Sequence, residues 1–183
     1  MIDTTAQGDG IGHVARYTYR LRVSSDACAA LEAEWGRCRW VWNECVAKSR
    51  NVHRHNKANP DDIRTCGPVQ LSAMLTQARG ATAWLREGAS VPQQQTIRDF
   101  AKSRAKAIKD IKNRLPVRQR AGMPKPRKKH RSTATMEYTR RGFRLKDGHL
   151  RLAGDIVVTV VWSRELPADP SSVRVYRDTL GHW

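Results

Sequence analysis

One strand-like stretch stands alone near the front of this chain, and sequence of the same pattern returns only after a long helical and basic interval. Arg16–Val23 (RYTYRLRV) alternates, with Tyr17, Tyr19, Leu21 and Val23 on one face and Arg16, Arg20 and Arg22 on the other. A lone strand leaves its backbone N–H and C=O groups without partners and cannot persist by itself. It must therefore pair with strands from the far end of the chain. The segment between becomes an insertion into one small β unit, an α+β arrangement rather than a run of alternating strands and helices.

The interval reads as three helices. Ser24 or Ser25 caps the first, and Asp26 suits the positive end of its dipole. Cys28, Leu31, Trp35, Cys38, Trp42 and Cys45 then recur at steps of three and four, a continuous apolar stripe. The polar Asn51–Pro60 is expected to be a loop. A second helix fits Pro68–Ala78, closed by Gly80, and Ala83–Leu85 forms a short apolar knot. In the third, Ser90 and Gln93 have capping-box spacing with Pro92 in the first turn, and Ile97, Phe100, Ala101, Ala105, Ile108, Ile111 and Leu115 mark its core face. Pro116 ends it. Gly122, Pro124 and Pro126 break the next segment, which reads as an arm. Phe143–Leu145 and His149–Leu152 flank Lys146-Asp147-Gly148 as a hairpin, followed by strands at Ile156–Val161 and Val173–Tyr176. The expected division is a disordered leader (1–15), a first strand (16–23), a helical domain (24–115), a basic arm (116–133) and the remaining strands (134–183).

Charge is concentrated in the middle of this plan. Between Arg98 and Arg131 there are fourteen basic residues against Asp99 and Asp110, so +12 of the formal +17 sits in 34 residues. Such density repels itself unless a polyanion lies against it, and nucleic acid gains affinity by counterion release. Membrane and secretory classes do not fit: no apolar run approaches the roughly 20 residues of a span, and the polar N-terminus lacks a signal pattern. Three of the four cysteines follow the helical stripe and no CxxC occurs. A zinc site drawn from Cys45, Cys66, His53 and His55 matches no common module, so core thiols and no metal are expected. Glu137, Asp147, Asp155, Asp169, Glu165 and Asp178 form no two-metal motif, and no nucleophile elbow is present. Neither a catalytic residue nor a cofactor is expected.

Five pieces in order resemble one family. Gly36, Arg39, Trp42 and Asn43 match a G-x-x-R-x-x-[YW]-N core. Leu71–Arg79 with Trp84-Leu85, Val91–Phe100 (VPQQQTIRDF), Gly122–Lys129 (GMPKPRKK) and the terminal Leu166-Pro167 through Arg177–Trp183 follow. Together these are similar to the TnpB (OrfB) proteins of bacterial insertion sequences, relatives of type V CRISPR effectors. The helix start Ser24-Ser25-Asp26 departs from that pattern, lacking its usual Pro and Gln, and Pro126 stands where an aromatic is commoner.

The resemblance implies a wedge-type, OB-like β barrel with an inserted helical recognition domain whose first helices start like a helix-turn-helix. It implies guide RNA and target DNA as partners, in the bacterial cytoplasm at the nucleoid. The family's RuvC-like nuclease and zinc ribbon would follow Trp183, so this chain reads as the recognition half, truncated, with that other half missing or separately encoded. On this reading Arg98, Lys102, Lys106, Lys109, Arg118, Arg120, Lys125, Arg127, Lys128 and Lys129 clamp phosphates. Arg37, Arg39, Asn43 and Gln94 are expected to make the more specific contacts. Trp35 and Trp42 belong to the core; for Trp40, off the stripe, stacking on a nucleotide is the alternative to a packing role. The rival reading is a catalytically inactive DNA-binding regulator of the same descent; a solvated helix face and a disordered basic tail are the plainer alternatives for the charge.

Overall fold

The computed structural model describes residues 1–7 and 14–183. Seven strands form one antiparallel sheet: β1 (Ile2–Gln7), β2 (Val14–Arg22), β3 (Thr135–Thr139), β4 (Phe143–Lys146), β5 (His149–Leu152), β6 (Ile156–Val161) and β7 (Pro170–Tyr176), in the order β3-β7-β1-β2-β6-β5-β4. The two edge strands, β3 and β4, are consecutive in sequence and joined by the single turn Arg140–Gly142, so the sheet curls into a nearly closed barrel. Four helices enter between β2 and β3: α1 (Ser25–Ala58), α2 (Pro68–Ala81), α3 (Ala83–Glu87) and α4 (Ser90–Lys112). The expected architecture, a small barrel with a helical insertion, is the one observed.

β2 is the strand that makes the barrel possible. Val14–Tyr19 pair with β1, while Arg20–Arg22 pair with β6, so one strand turns the corner between two halves of the sheet. Its alternation is as expected: Tyr19 is buried, Tyr17 and Leu21 half-buried, and Arg16, Arg20 and Arg22 exposed. The hairpin β4–β5 also stands where its signal lies. Lys146 pairs with His149 across Asp147 and Gly148, whose φ values of 52° and 75° give the twist that suits a two-residue turn.

The N-terminus corrects the leader reading. Ile2–Gln7 is a central strand, hydrogen-bonded to β2 on one side and β7 on the other, and Ile2 is completely buried between Tyr19 and Val175. The segment reads as polar because Thr4 is an inward residue too, also fully buried. The leader reading over residues 8–13 lies outside the described residues.

Helix limits differ from expectation where no breaker intervenes. α1 runs on through Asn51–Val52 to Ala58, since no Gly or Pro interrupts it before Pro60, and the turn beyond is held by Asn56 exchanging hydrogen bonds with the Arg64 backbone. Gly80 lies inside α2 rather than closing it. Ser90 is not a cap. The cap position is Ala89, whose N–H is taken by the Glu34 carboxylate of α1, and Gln93 is buried, donating to Leu85 O. On α4, Ile97 and Phe100 are core as expected, but Ile111 is 48% exposed and Ala105 is exposed.

Two hydrophobic cores result, and α1 belongs to both. Its first half (Leu31, Trp35, Cys38) seals the barrel over Met136, Tyr138, Leu150 and Val173. Its second half (Val41, Trp42, Cys45, Val46) packs with Leu71, Leu75, Leu85, Ile97 and Phe100. Burial drives the Cys38 and Cys45 thiols up to about 12. A raised thiol pKa adds stability that is complete below the ordinary value and is lost as pH rises toward the folded one.

Ile2 tests the corrected N-terminus. Ile2→Ala should cost about 2–5 kcal/mol in denaturant unfolding, as for other fully buried aliphatic side chains. A dispensable leader would leave the midpoint unchanged.

Candidate nucleic-acid interface

The basic arm is not a free tail. Its first fixed point is Asp110, one of the two acids in the basic stretch: the side chain is buried on α4 and accepts from Ala121 N at 2.7 Å. The second is Trp42 on α1, whose indole N–H donates to Lys125 O at 2.8 Å. The third is Asn43, which accepts from Arg127 N at 2.8 Å and donates to Arg127 O at 3.2 Å, a two-way brace on one backbone unit. Between them the Arg127 guanidinium lies over the Trp42 ring, 3.8 Å from its centroid, with Trp35 at 5.5 Å. Prolines 124 and 126 suit this extended, docked backbone, since neither has an N–H to leave unpaired.

Arg127 also joins a layer of charge where α4 meets β3. Burial lowers its pKa, opposed by Asp99. Burial in turn raises Asp99, with Glu137 adding to the rise and Arg174, Arg127 and Lys102 opposing it. Arg174 is paired with Glu137. The second acid of the basic stretch thus also works inside the fold.

The expected specific-contact residues are mostly engaged in the same way. Arg37 donates to Trp84 O at 2.8 Å, pairs with the buried Glu34 at 3.3 Å and sits over the Trp84 ring. Gly88 lies directly beneath it: a Cβ there would run into Arg37 Cδ. By contrast, a Cβ on the motif glycine Gly36 would meet only Trp84, at 3.9 Å. Gln94 accepts from Ser72, tying α4 to α2. Arg39 is half-buried, and its Nε is enclosed with no hydrogen-bond partner among the described residues. Trp35 and Trp42 are core, as read from the stripe, and Trp40 is half-buried against the second core.

What remains outward is a set of basic side chains on α4 and the arm. Arg98, Lys102, Lys106 and Lys109 on α4 are exposed, as are Arg118, Arg120, Lys125, Lys128 and Lys129 on the arm. Arg120 donates to Leu115 O, and Arg98 reaches Gln95 at 3.4 Å. None of these nine forms a salt bridge among the described residues.

A second cationic face went unread as a site. On the outside of the barrel the register sets Arg144 directly opposite Arg151, Lys146 opposite His149, and Arg22 opposite Thr159. Like charges facing across a strand pair are unfavourable. With Arg20 these residues make a face whose strand positions, among the described residues, include no Asp or Glu; Asp147 lies in the turn at its end. The alternation of each strand is visible in sequence; the pairing that gathers their outward residues is not. No three potential metal ligands stand together among the described residues, and no helix there is long and apolar enough to cross a membrane.

The docked arm yields a prediction. Asn43→Ala should speed amide exchange at residues 123–129 at least about tenfold and cost about 1–3 kcal/mol, because two backbone groups lose their partner. Gly36→Ala should leave exchange in the arm unchanged and, at a mid-helix position with room for a Cβ, raise stability by about 0.5–1 kcal/mol.

No protein-family model matches the chain. A Streptomyces pristinaespiralis protein named "Putative RNA-guided DNA endonuclease" is 30% identical over 172 residues, which cover 91% of this chain and 39% of that protein. The chain therefore spans about two fifths of that relative's length. The resemblance read from five motif pieces is met by homology, over nine-tenths of the chain, to a protein named for RNA-guided DNA cleavage.

Proposed function

We propose that this chain is the nucleic-acid-gripping part of a TnpB-type RNA-guided DNA endonuclease, holding guide RNA and target DNA at the bacterial nucleoid. One observation carries the reading: nine exposed basic side chains on α4 and the arm, held on a docked backbone, with no salt bridge to any acid among the described residues. A solvated helix face normally interleaves both signs of charge. Here the two nearby acids, Asp99 and Asp110, are turned to structural work, leaving the outward charge for phosphate. Arg98, Lys102, Lys106, Lys109, Arg118, Arg120, Lys125, Lys128 and Lys129 contact the backbone of the nucleic acid, while Arg37, Asn43, Gln94 and Arg127 hold the surface in place. Base pairing between guide and target reads the sequence, so shape and charge suffice for the protein. The barrel face of Arg20, Arg22, Arg144, Lys146 and Arg151 is a second phosphate-binding surface for the same RNA. Cleavage is supplied by a RuvC-type nuclease with its zinc ribbon, contiguous with this part or separately encoded.

Salt dependence tests the reading. The triple variant Lys102→Glu/Lys106→Glu/Lys109→Glu should bind RNA more weakly and flatten the slope of log K against log salt by about 2–3, the contribution of three phosphate contacts. An unchanged slope would return that face to the solvent. Incubating the chain with RNA, plasmid and magnesium should give no cut. Strand scission by the chain alone would overturn the division of labour.

A further inference from the structure

The cationic surface is interrupted by an apolar groove. It lies between the second half of α1, the C-terminal half of α4 and the start of the arm, with a volume of about 780 Å³, inside the usual range for small-ligand sites. Phe100, Ile108, Ile111, Met123 and Pro124 line it, and Ile111 and Met123 are 48% and 44% exposed. The polar residues around it are Ser49, Arg50, His53, Arg54, Arg104 and Lys125; no acid takes part. Arg104 is fixed there, donating to Ser49 Oγ at 2.9 Å and Cys66 O at 3.0 Å, and His53 makes no hydrogen bond among the described residues.

We infer that this groove takes one unstacked nucleotide of the bound RNA, the base against Ile108, Ile111 and Met123 and the flanking phosphates on Arg50, Arg54 and Lys125. Two facts choose the occupant. An apolar floor whose charged neighbours are Arg50, Arg54, Arg104 and Lys125, with no acid, fits a ligand that is flat and apolar at one end and anionic at the other. Moreover, Lys125 belongs both to the rim and to the arm, so the groove opens on the surface proposed above to hold the backbone. RNA is the source because its loops and bulges present splayed bases, which a paired duplex does not. The inference rests on the proposed function for its ligand, yet it assigns a site which that function does not require. The Trp42–Lys125 hydrogen bond that positions the arm also fixes one wall of the groove.

The test uses the full chain with methyl-labelled Ile and Met. Adenosine 5′-monophosphate should shift the Ile108, Ile111 and Met123 methyls, and ribose 5-phosphate should not. A 12-nucleotide oligoadenylate RNA should bind about tenfold tighter than an abasic oligomer of equal length, in keeping with one stacked base. Ile111→Ser/Met123→Ser, at two exposed positions, should erase that preference while leaving the abasic affinity and its salt slope unchanged. Silent methyls with the nucleotide, or a preference that survives the double variant, would overturn the inference. A groove that shifts only with an acidic amphipathic peptide would overturn it in favour of a protein partner, and oligodeoxyadenylate binding as tightly as RNA would overturn the choice of RNA. Loss of all polymer binding would instead sink the proposed function, and the mononucleotide titration would still decide the groove.

Discussion

The contact on which the rest depends is the seat of Arg127 on Trp42, with Asn43 gripping the Arg127 backbone from both sides. It decides whether a strongly cationic segment is a tail or a surface. Three backbone hydrogen bonds to Trp42 and Asn43 contribute about 0.5–1.5 kcal/mol each, and a desolvated cation–π contact about 2. Repulsion between exposed lysines is about 1 kcal/mol for a pair 4 Å apart in water, and salt screens it beyond about 8–10 Å. Docking therefore outweighs repulsion. The arm stays on α1, and its charges are displayed at fixed positions.

α1 transmits that order to the whole chain. Its first half closes the barrel and its second half nucleates the helical core, so the boundary between the two units falls inside one helix. Glu34 binds the units again near that boundary: one carboxylate oxygen takes both Ala89 N and Arg37, satisfying the start of α4 from another helix. Burial raises this carboxyl's pKa, and the bonds to Ala89 and Arg37 oppose the rise. Such a group is costly to bury and costlier to leave unpaired. It couples the placement of α4, and with it the basic surface, to α1 rather than to the loop before it.

Much of this was legible in the sequence because it is periodic. The switch from helical spacing to alternation, the Asp-Gly hairpin and the isolated Arg16–Val23 strand give a barrel with a helical insertion. β1 was hidden because its inward residues include Thr4, and pattern reading treats threonine as surface. The missed helical run of Asn51–Ala58 is polar on most sides, so it shows no stripe, yet nothing in it breaks a helix. For the site, charge density located the surface, but composition could not say which cations are free. Asn43 and Arg127 meet across 84 residues, and no local pattern encodes that pairing. The family motif supplied Asn43 as a candidate contact, and the structure supplies a reason within the fold for Asn at that position. The outward Arg144 and Arg151 become one patch only through strand register.

On the function proposed above, the molecule is a scaffold that holds nucleic acid by the position of its charges. Glu34, Asp99 and Asp110 are engaged within the fold, and basic side chains are displayed on α4, the arm and the outer barrel. Photochemical cross-linking of the chain to bound RNA, with the linked peptides identified by mass spectrometry, tests this most directly. The account predicts cross-links in 91–112 and 118–131, with a second set in strands β2, β4 and β5. Cross-links confined to the exposed turns of 59–67 and 163–169, with none on α4 or the arm, would contradict it.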